Sequence, residues 1–164
     1  MFINPLEFAI DDGNLILLNS RGFSFVFFFT PECIYCDDVK PAFDKMSEYF
    51  KGCNFYYCNV RDSNDYLIKI TSFSKFPITY VPIFLLFVDG KIIGRFFPDE
   101  DNPINNNQNM ANFIKNTTTQ YMNKINHPNI EKTNSIAPLT TIGIPYNRSM
   151  KKVCKLYSEA YNTK

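Results

Sequence analysis

The sequence predicts an α/β fold: a three-layer α/β/α sandwich on a mixed central sheet, with a C-terminal extension. Three observations lead there. Short aromatic and β-branched runs alternate with amphipathic helical stretches, a rhythm that calls for parallel strand pairing. One pair of runs is joined by Asp89-Gly90, a turn whose central residues both need positive φ, so an antiparallel hairpin joins the sheet. The rhythm stops near residue 126, and 164 residues suit one domain of roughly 100–150 residues with an appendage.

Taken in order, Glu7 to Ile10 reads as a short edge strand and Asp12 to Leu18 as a short helix. Phe23 to Phe29 (FSFVFFF) is short, aromatic and closed by Thr30-Pro31, which makes it a buried strand. From Cys33 onward Val39, Phe43, Met46 and Phe50 recur every three or four residues, with Asp38, Asp44, Lys45 and Glu48 between them, so an amphipathic helix follows. Asp37 and Asp38 suit the positive end of its dipole, Pro41 is expected to kink it, and Gly52 to stop it. Cys53 to Val60 is the next strand. Asp62-Ser63-Asn64-Asp65 reads as an N-cap cluster opening a helix with Tyr66, Leu67, Ile70 and Phe73 on its apolar face, ended by Pro77. Pro82 to Val88 (PIFLLFV) is a buried strand and Lys91 to Phe97 its return. After the Asn-rich loop Asp101 to Asn107, a last helix presents Met110, Phe113, Ile114, Thr117, Tyr121, Met122 and Ile125. The expected domain spans 1–126. Within 127–164, His127-Pro128, Ala137-Pro138 and Ile144-Pro145 keep the chain extended, leaving room for a short basic helix over 147–160 with Met150, Val153, Cys154 and Tyr157 on one face.

Composition narrows the function classes. A net charge of +1 argues against a dedicated nucleic-acid binder. The charge is divided, however: residues 1–126 hold 11 Lys/Arg against 14 Asp/Glu, and residues 127–164 hold 6 against 2. Arg148, Lys151, Lys152 and Lys155 could therefore dock on the acidic body, hold a partner, or lie solvated as a basic helix, which is the default. No apolar run approaches the roughly 18–20 residues of a membrane span, and the N-terminus lacks signal-peptide features, so no membrane role and a reduced, cytoplasmic setting are expected. The abundance of Phe, Tyr and Asn is what AT-rich coding favours, which points to an AT-rich microbe or a large DNA virus and, in the latter case, to packaging in the virion. No P-loop or dinucleotide spacing occurs, and the single His127 sits beside a proline in the extension, which disfavours Cys–His chemistry.

The informative motif is Cys33-Ile34-Tyr35-Cys36, at the junction of a buried strand and a helix N-terminus. Unpaired N–H groups and the helix dipole stabilise a thiolate there, and a second cysteine one turn on can reach the first. Two other readings compete. Cys33-x2-Cys36-x16-Cys53-x4-Cys58 resembles a zinc spacing, but Cys53 and Cys58 bracket an aromatic strand and point to opposite faces. Cysteines are also commonly core residues, the preferred reading for Cys53, Cys58 and Cys154.

On these residues the chain resembles the thioredoxin-like thiol–disulfide oxidoreductases over about 1–125. The matches are FVFFFTPECIYC, Pro41 five residues after the second cysteine, Val81-Pro82 before IFLLFV, and Asp89-Gly90-Lys91. The resemblance implies a dithiol in which Cys33 attacks a protein disulfide and Cys36 resolves the mixed disulfide, with no metal or organic cofactor. It implies that Pro82 is cis beside the sulfurs and that the Val81 backbone holds an extended substrate peptide, with Pro82, Ile34 and Tyr35 as further substrate-binding residues. Protein thiols and disulfides and an upstream thiol reductase or oxidase are the implied partners. There are departures. Glu32 stands where the family places Trp, and Ile34-Tyr35 where thioredoxin has Gly-Pro. Phe27 replaces the buried acid, Tyr57 its lysine partner, and Pro98 a groove glycine. The acids Glu32, Asp37 and Asp38 around the dithiol oppose a thiolate, which would make the couple more reducing; the competing reading is that Asp37 and Asp38 are merely N-terminal helix acids. A non-catalytic binding module using the Val81-Pro82 groove or the basic tail is the alternative function.

Overall fold

Residues 1–126 and 152–156 are described by the computed structural model of the chain. It opens on a hairpin, β1 (Phe8–Asp11) and β2 (Asn14–Leu17), antiparallel across Asp12 and Gly13. Both turn residues have positive φ, 50° and 77°, as a tight two-residue turn requires. This corrects the helix expected over Asp12 to Leu18. Leu15 and Leu17 are buried and Asn14 is exposed, a period of two, and Asp-Gly occupies what would have been the first helical turn.

A strand–helix–strand unit follows: β3 (Phe23–Phe29), α1 (Ile34–Tyr49) and β4 (Cys53–Asn59), with β3 and β4 parallel. The remaining elements of the domain are α2 (Asp62–Thr71), the two-residue β5 (Tyr80–Val81), β6 (Ile83–Val88), β7 (Lys91–Phe96) and α3 (Asn106–Asn126). The six-stranded sheet is ordered β1-β2-β7-β6-β3-β4 and is mixed, because only β3–β4 pairs parallel. The β6–β7 turn is Asp89-Gly90, both at positive φ, as read from the sequence.

Alternation along β3 sends its rings to both sides of the sheet. Phe25 meets Phe43 of α1 and Phe113 of α3 at ring-centroid distances of 5.6 and 5.8 Å. Phe28 meets Phe8 at 5.4 Å on the other side, where the Tyr66 hydroxyl of α2 donates to the Phe8 carbonyl at 3.1 Å. Helices thus cover both faces, the three layers that the alternation implies. Helix α1 runs through Pro41 to Tyr49 and buries Val39, Ala42, Phe43 and Met46.

Helix α2 differs from its expectation. Ser63, Asn64 and Asp65 adopt left-handed conformations (φ 57°, 56° and 58°), and Arg61 at the N-cap makes no side-chain cap bond, so the acidic cluster forms a left-handed turn rather than a cap. Four residues are consumed before the regular helix, whose buried face becomes Leu67, Ile68 and Thr71. Phe73 falls past its end and is 101% exposed. In α3 Met110, Ile114 and Thr117 are buried, while Met122 and Ile125 are exposed on a last turn that carries no core face.

In the extension, the described residues 152–156 are not helical. Cys154–Lys155 forms β8, antiparallel to β5, with Tyr80 opposite Lys155 and Val81 opposite Cys154. This corrects the helix expected over 147–160 for its described part; Met150, Tyr157, His127, Arg148 and Lys151 lie outside the described residues. The open edge of β5 gives the segment backbone partners that an isolated short helix lacks. No helix among the described residues is long and apolar enough to cross a membrane.

Candidate active site

Cys33 is the N-cap of α1, two residues beyond the Thr30-Pro31 break that ends β3. Its N–H donates to the Thr30 carbonyl at 3.1 Å, which turns the chain into the helix. The Cys36 N–H donates to Cys33 Sγ at 3.0 Å, so an otherwise orphaned helix-start donor points at sulfur, the arrangement that stabilises a Cys33 thiolate. Cys33 and Cys36 are joined in a disulfide with Cα atoms 5.2 Å apart. Glu32, Asp37 and Asp38 flank the pair in sequence and are all exposed.

A sulfur poised for attack should meet solvent, but Cys33 is 1% exposed and Cys36 4%. Both belong to the protein's hydrophobic core, which also includes Val81 and Leu156. In this conformation the dithiol is closed.

The Val81–Pro82 peptide bond is cis, as the resemblance implies, and lies between β5 and β6. Tyr35, Val39, Pro82, Pro98, Asn106 and Lys152 line one cavity, so the structure brings together the residue between the cysteines, the proline before β6 and the extension. Ile34 is 64% exposed and does not line this cavity. Val81 is fully buried, with its strand partner supplied by Cys154.

Strand β5 is held by a group that the sequence did not reveal. The Arg95 guanidinium lies 4.9 Å from the Phe76 ring, 5.5 Å from Tyr80 and 4.4 Å from Phe97, and it donates to the Tyr80 hydroxyl. Leu156, Thr79 and Arg61 were also unforeseen. The Leu156 N–H donates to the Thr79 carbonyl at 2.9 Å, and Arg61 Nη2 to the Leu156 carbonyl at 2.9 Å. The only available signal was the apolar spacing of Val153, Cys154 and Leu156, which is too short to separate strand from helix.

Beneath the site Phe27 and Tyr57 stand opposite each other in β3–β4, with rings 5.4 Å apart, and Phe27 packs on Phe84 at 4.3 Å. The Tyr57 hydroxyl donates to Asp44, and Lys40 sits 5.5 Å over its ring. Burial, then the hydrogen bond and charge of Asp44, push the Tyr57 hydroxyl well above its ordinary value. An aromatic stack thus fills the positions of the acid and the lysine.

Cys53 is partly buried, and burial pushes its thiol up to about 12, with a backbone bond from Phe25 opposing. Cys58 is fully buried and is raised further, by burial first and then by the charge of Asp62. Both shifts disfavour the thiolate, as expected of buried cysteines. The zinc spacing does not converge: among the described residues no three His, Cys, Asp or Glu side chains gather as a metal site.

No protein-family model matches the chain. An uncharacterised protein of Invertebrate iridescent virus 6 is 27% identical over 146 residues, covering 87% of this chain and 76% of that protein. A thioredoxin-like protein of Acanthamoeba polyphaga mimivirus is 34% identical over 94 residues, or 57% of this chain and 61% of that protein. Similar solved structures include oxidised mitochondrial thioredoxin 3 of Saccharomyces cerevisiae (25% identity, TM-score 0.41, covering 52% of this chain and 73% of that one). Fasciola hepatica thioredoxin is another (23% identity, TM-score 0.39, 48% and 69%).

Proposed function

We propose that this chain, which is thioredoxin-like in fold and in its Cys-x-x-Cys pair, catalyses thiol–disulfide exchange on protein substrates. Cys33 attacks, and Cys36 resolves the mixed disulfide. The observation that carries the reading is the Cys33–Cys36 disulfide at the start of α1, with the Cys36 N–H directed at Cys33 Sγ at 3.0 Å. When the pair is reduced, that donor would favour the thiolate on Cys33 over Cys36, which supports attack by the first sulfur. Val81 would offer its backbone to an extended peptide beside the dithiol, with Pro82 and Tyr35 shaping the adjoining cavity. Electrons would pass to or from an upstream thiol reductase or oxidase, without metal or organic cofactor.

Redox titration in glutathione buffers tests this. A single two-electron transition, lost in Cys33→Ser together with insulin-reduction turnover, is the expected result. Turnover that persists in Cys33→Ser sinks it.

The burial of both sulfurs favours a second reading, a binding module whose groove holds a partner without redox turnover. That reading expects partner capture to survive Cys33→Ser and insulin reduction to be absent from the wild type. The two viral relatives support a viral source, hence action in the cytoplasm of an infected cell or inside the virion. Quantitative proteomics of purified particles against infected-cell cytoplasm separates these two.

A further inference from the structure

Strand β8 is held at three points besides its ladder with β5. Leu156 N–H donates to Thr79, Arg61 donates to the Leu156 carbonyl, and Lys152 Nζ donates to the Glu100 carbonyl at 2.8 Å. Leu156 is 7% exposed and is part of the hydrophobic core. The register sets Cys154 directly opposite Val81, the residue before Pro82. Directly opposed antiparallel residues project to the same side of the ladder. Val81 belongs to the hydrophobic core that also includes Cys33 and Cys36, and Cys154 packs against that core. Lys152, two residues earlier, lines the cavity that contains Tyr35 from between the two cysteines. Cys53 and Cys58 belong to β4, so Cys154 is the free cysteine that lies outside the central sheet.

We propose that Cys154 is a third redox cysteine, delivered by β8 to the Cys33–Cys36 disulfide as a tethered substrate. This rests on the exchange function above and assigns it a first substrate within the same chain. Cys154 loses a proton to solvent, and its thiolate attacks Cys33 Sγ. The Cys33–Cys36 bond breaks, the Cys33–Cys154 bond forms, and Cys36 leaves as a thiolate that takes up a proton. One disulfide and one thiol stand on each side, so no outside oxidant is consumed, and attack by Cys36 reverses the step. While β8 is docked, it also holds the β5 edge against an incoming peptide, since one strand edge accepts one partner.

The test uses the full chain carrying Cys36→Ser, which removes the thiol that reverses the step, with glutathione disulfide as oxidant. Glutathione caps Cys33, and Cys154 then displaces it as free glutathione. Proteolysis without reductant and mass spectrometry should recover a peptide pair joined Cys33–Cys154. The added Cys154→Ser should leave glutathione on Cys33. Leu156→Asp, which puts a charge on the buried anchor of β8, should cut the joined yield by about ten-fold or more. Glutathione retained on Cys33 while Cys154 is alkylated overturns the proposal, and so does an undiminished yield in Leu156→Asp. Wild-type oxidised protein gives an independent readout: N-ethylmaleimide should trap a fraction with Cys36 alkylated and Cys33–Cys154 joined. Alkylation of Cys154 alone refutes delivery to the disulfide. Loss of the two-electron titration of Cys33–Cys36 marks failure of the exchange function instead.

Discussion

Replacing Leu156 by Ala asks whether β8 keeps the dithiol closed. Leu156 is 7% exposed, and a leucine buried to this extent contributes roughly 1.5–3 kcal/mol of transfer free energy. The hydrogen bonds from Leu156 N–H to Thr79, from Arg61 to Leu156 and from Lys152 to Glu100 add about 1 kcal/mol each. Ordering the backbone of residues 152–156 costs about 1–2 kcal/mol per residue, so docking is a near balance. Removing roughly 2 kcal/mol from one side of that balance shifts the docked-to-undocked ratio by about thirty-fold. The assay is iodoacetamide alkylation of Cys33 in the reduced chain, read by mass spectrometry, with hydrogen exchange at the Leu156 amide as the report on docking. Leu156→Ala should speed both, the alkylation by about two-fold from an even balance and by up to about thirty-fold where the docked form predominates at the start. A Leu156 amide that exchanges freely while Cys33 is alkylated at the wild-type rate refutes the reasoning, because something other than β8 would then cover the sulfur.

Further outcomes follow from the same structure. Phe27→Asp removes ring packing worth about 3–5 kcal/mol and buries an unpaired carboxyl against Phe84 and Tyr57, so folded protein should be largely lost; an unchanged urea midpoint contradicts this. Gly90→Ala puts a Cβ 2.3 Å from the Leu17 carbonyl at a φ of +84°, and the urea midpoint should fall by the equivalent of about 1–3 kcal/mol. With its thiol pushed up to about 12, Cys53 holds only about one part in ten thousand as thiolate at pH 8, so it and Cys58 should stay unlabelled by iodoacetamide in the folded chain and react on unfolding. Asp38→Asn removes a negative charge near the dithiol, favours the thiolate and therefore the reduced form, and should raise the reduction potential by ~10 mV; a lower potential in glutathione titration reverses the sign of the argument.

What the sequence disclosed depended on how local the signal was. Cys33-x-x-Cys36, the strand before it and the helix after it occupy one short stretch, and the structure places them as read. Asp89-Gly90 was legible because apolar runs flank it on both sides. Asp12-Gly13 is the same turn, yet Leu15-Ile16-Leu17-Leu18 shows no alternation by composition, because Ile16 is apolar on the less buried face. In α2 the polar cluster at 62–65 has N-cap chemistry, but the same side chains also tolerate the left-handed region, and the chain uses them that way. The β5–β8 ladder was illegible for a different reason. Pairing across so much intervening chain leaves no periodic trace in two residues, and the basic composition of 147–160 suits a helix equally well.

A dithiol that exchanges with protein substrates must satisfy two opposed demands. Its sulfur must be ionisable, which a helix start supplies, and it must be reachable, which burial denies. Cys33 meets the first through the Cys36 N–H and fails the second at 1% exposure. If electrostatics governed reactivity here, the exposed acids Glu32, Asp37 and Asp38 would be the controlling residues, but solvent and salt screen such charges to small effects. A strand that docks in near balance is the stronger lever if it covers the sulfur, which is what Leu156→Ala tests. On the exchange function proposed above, reactivity would be set less by the charges around the sulfur than by which peptide occupies the edge of β5, and so by the short segment around Cys154.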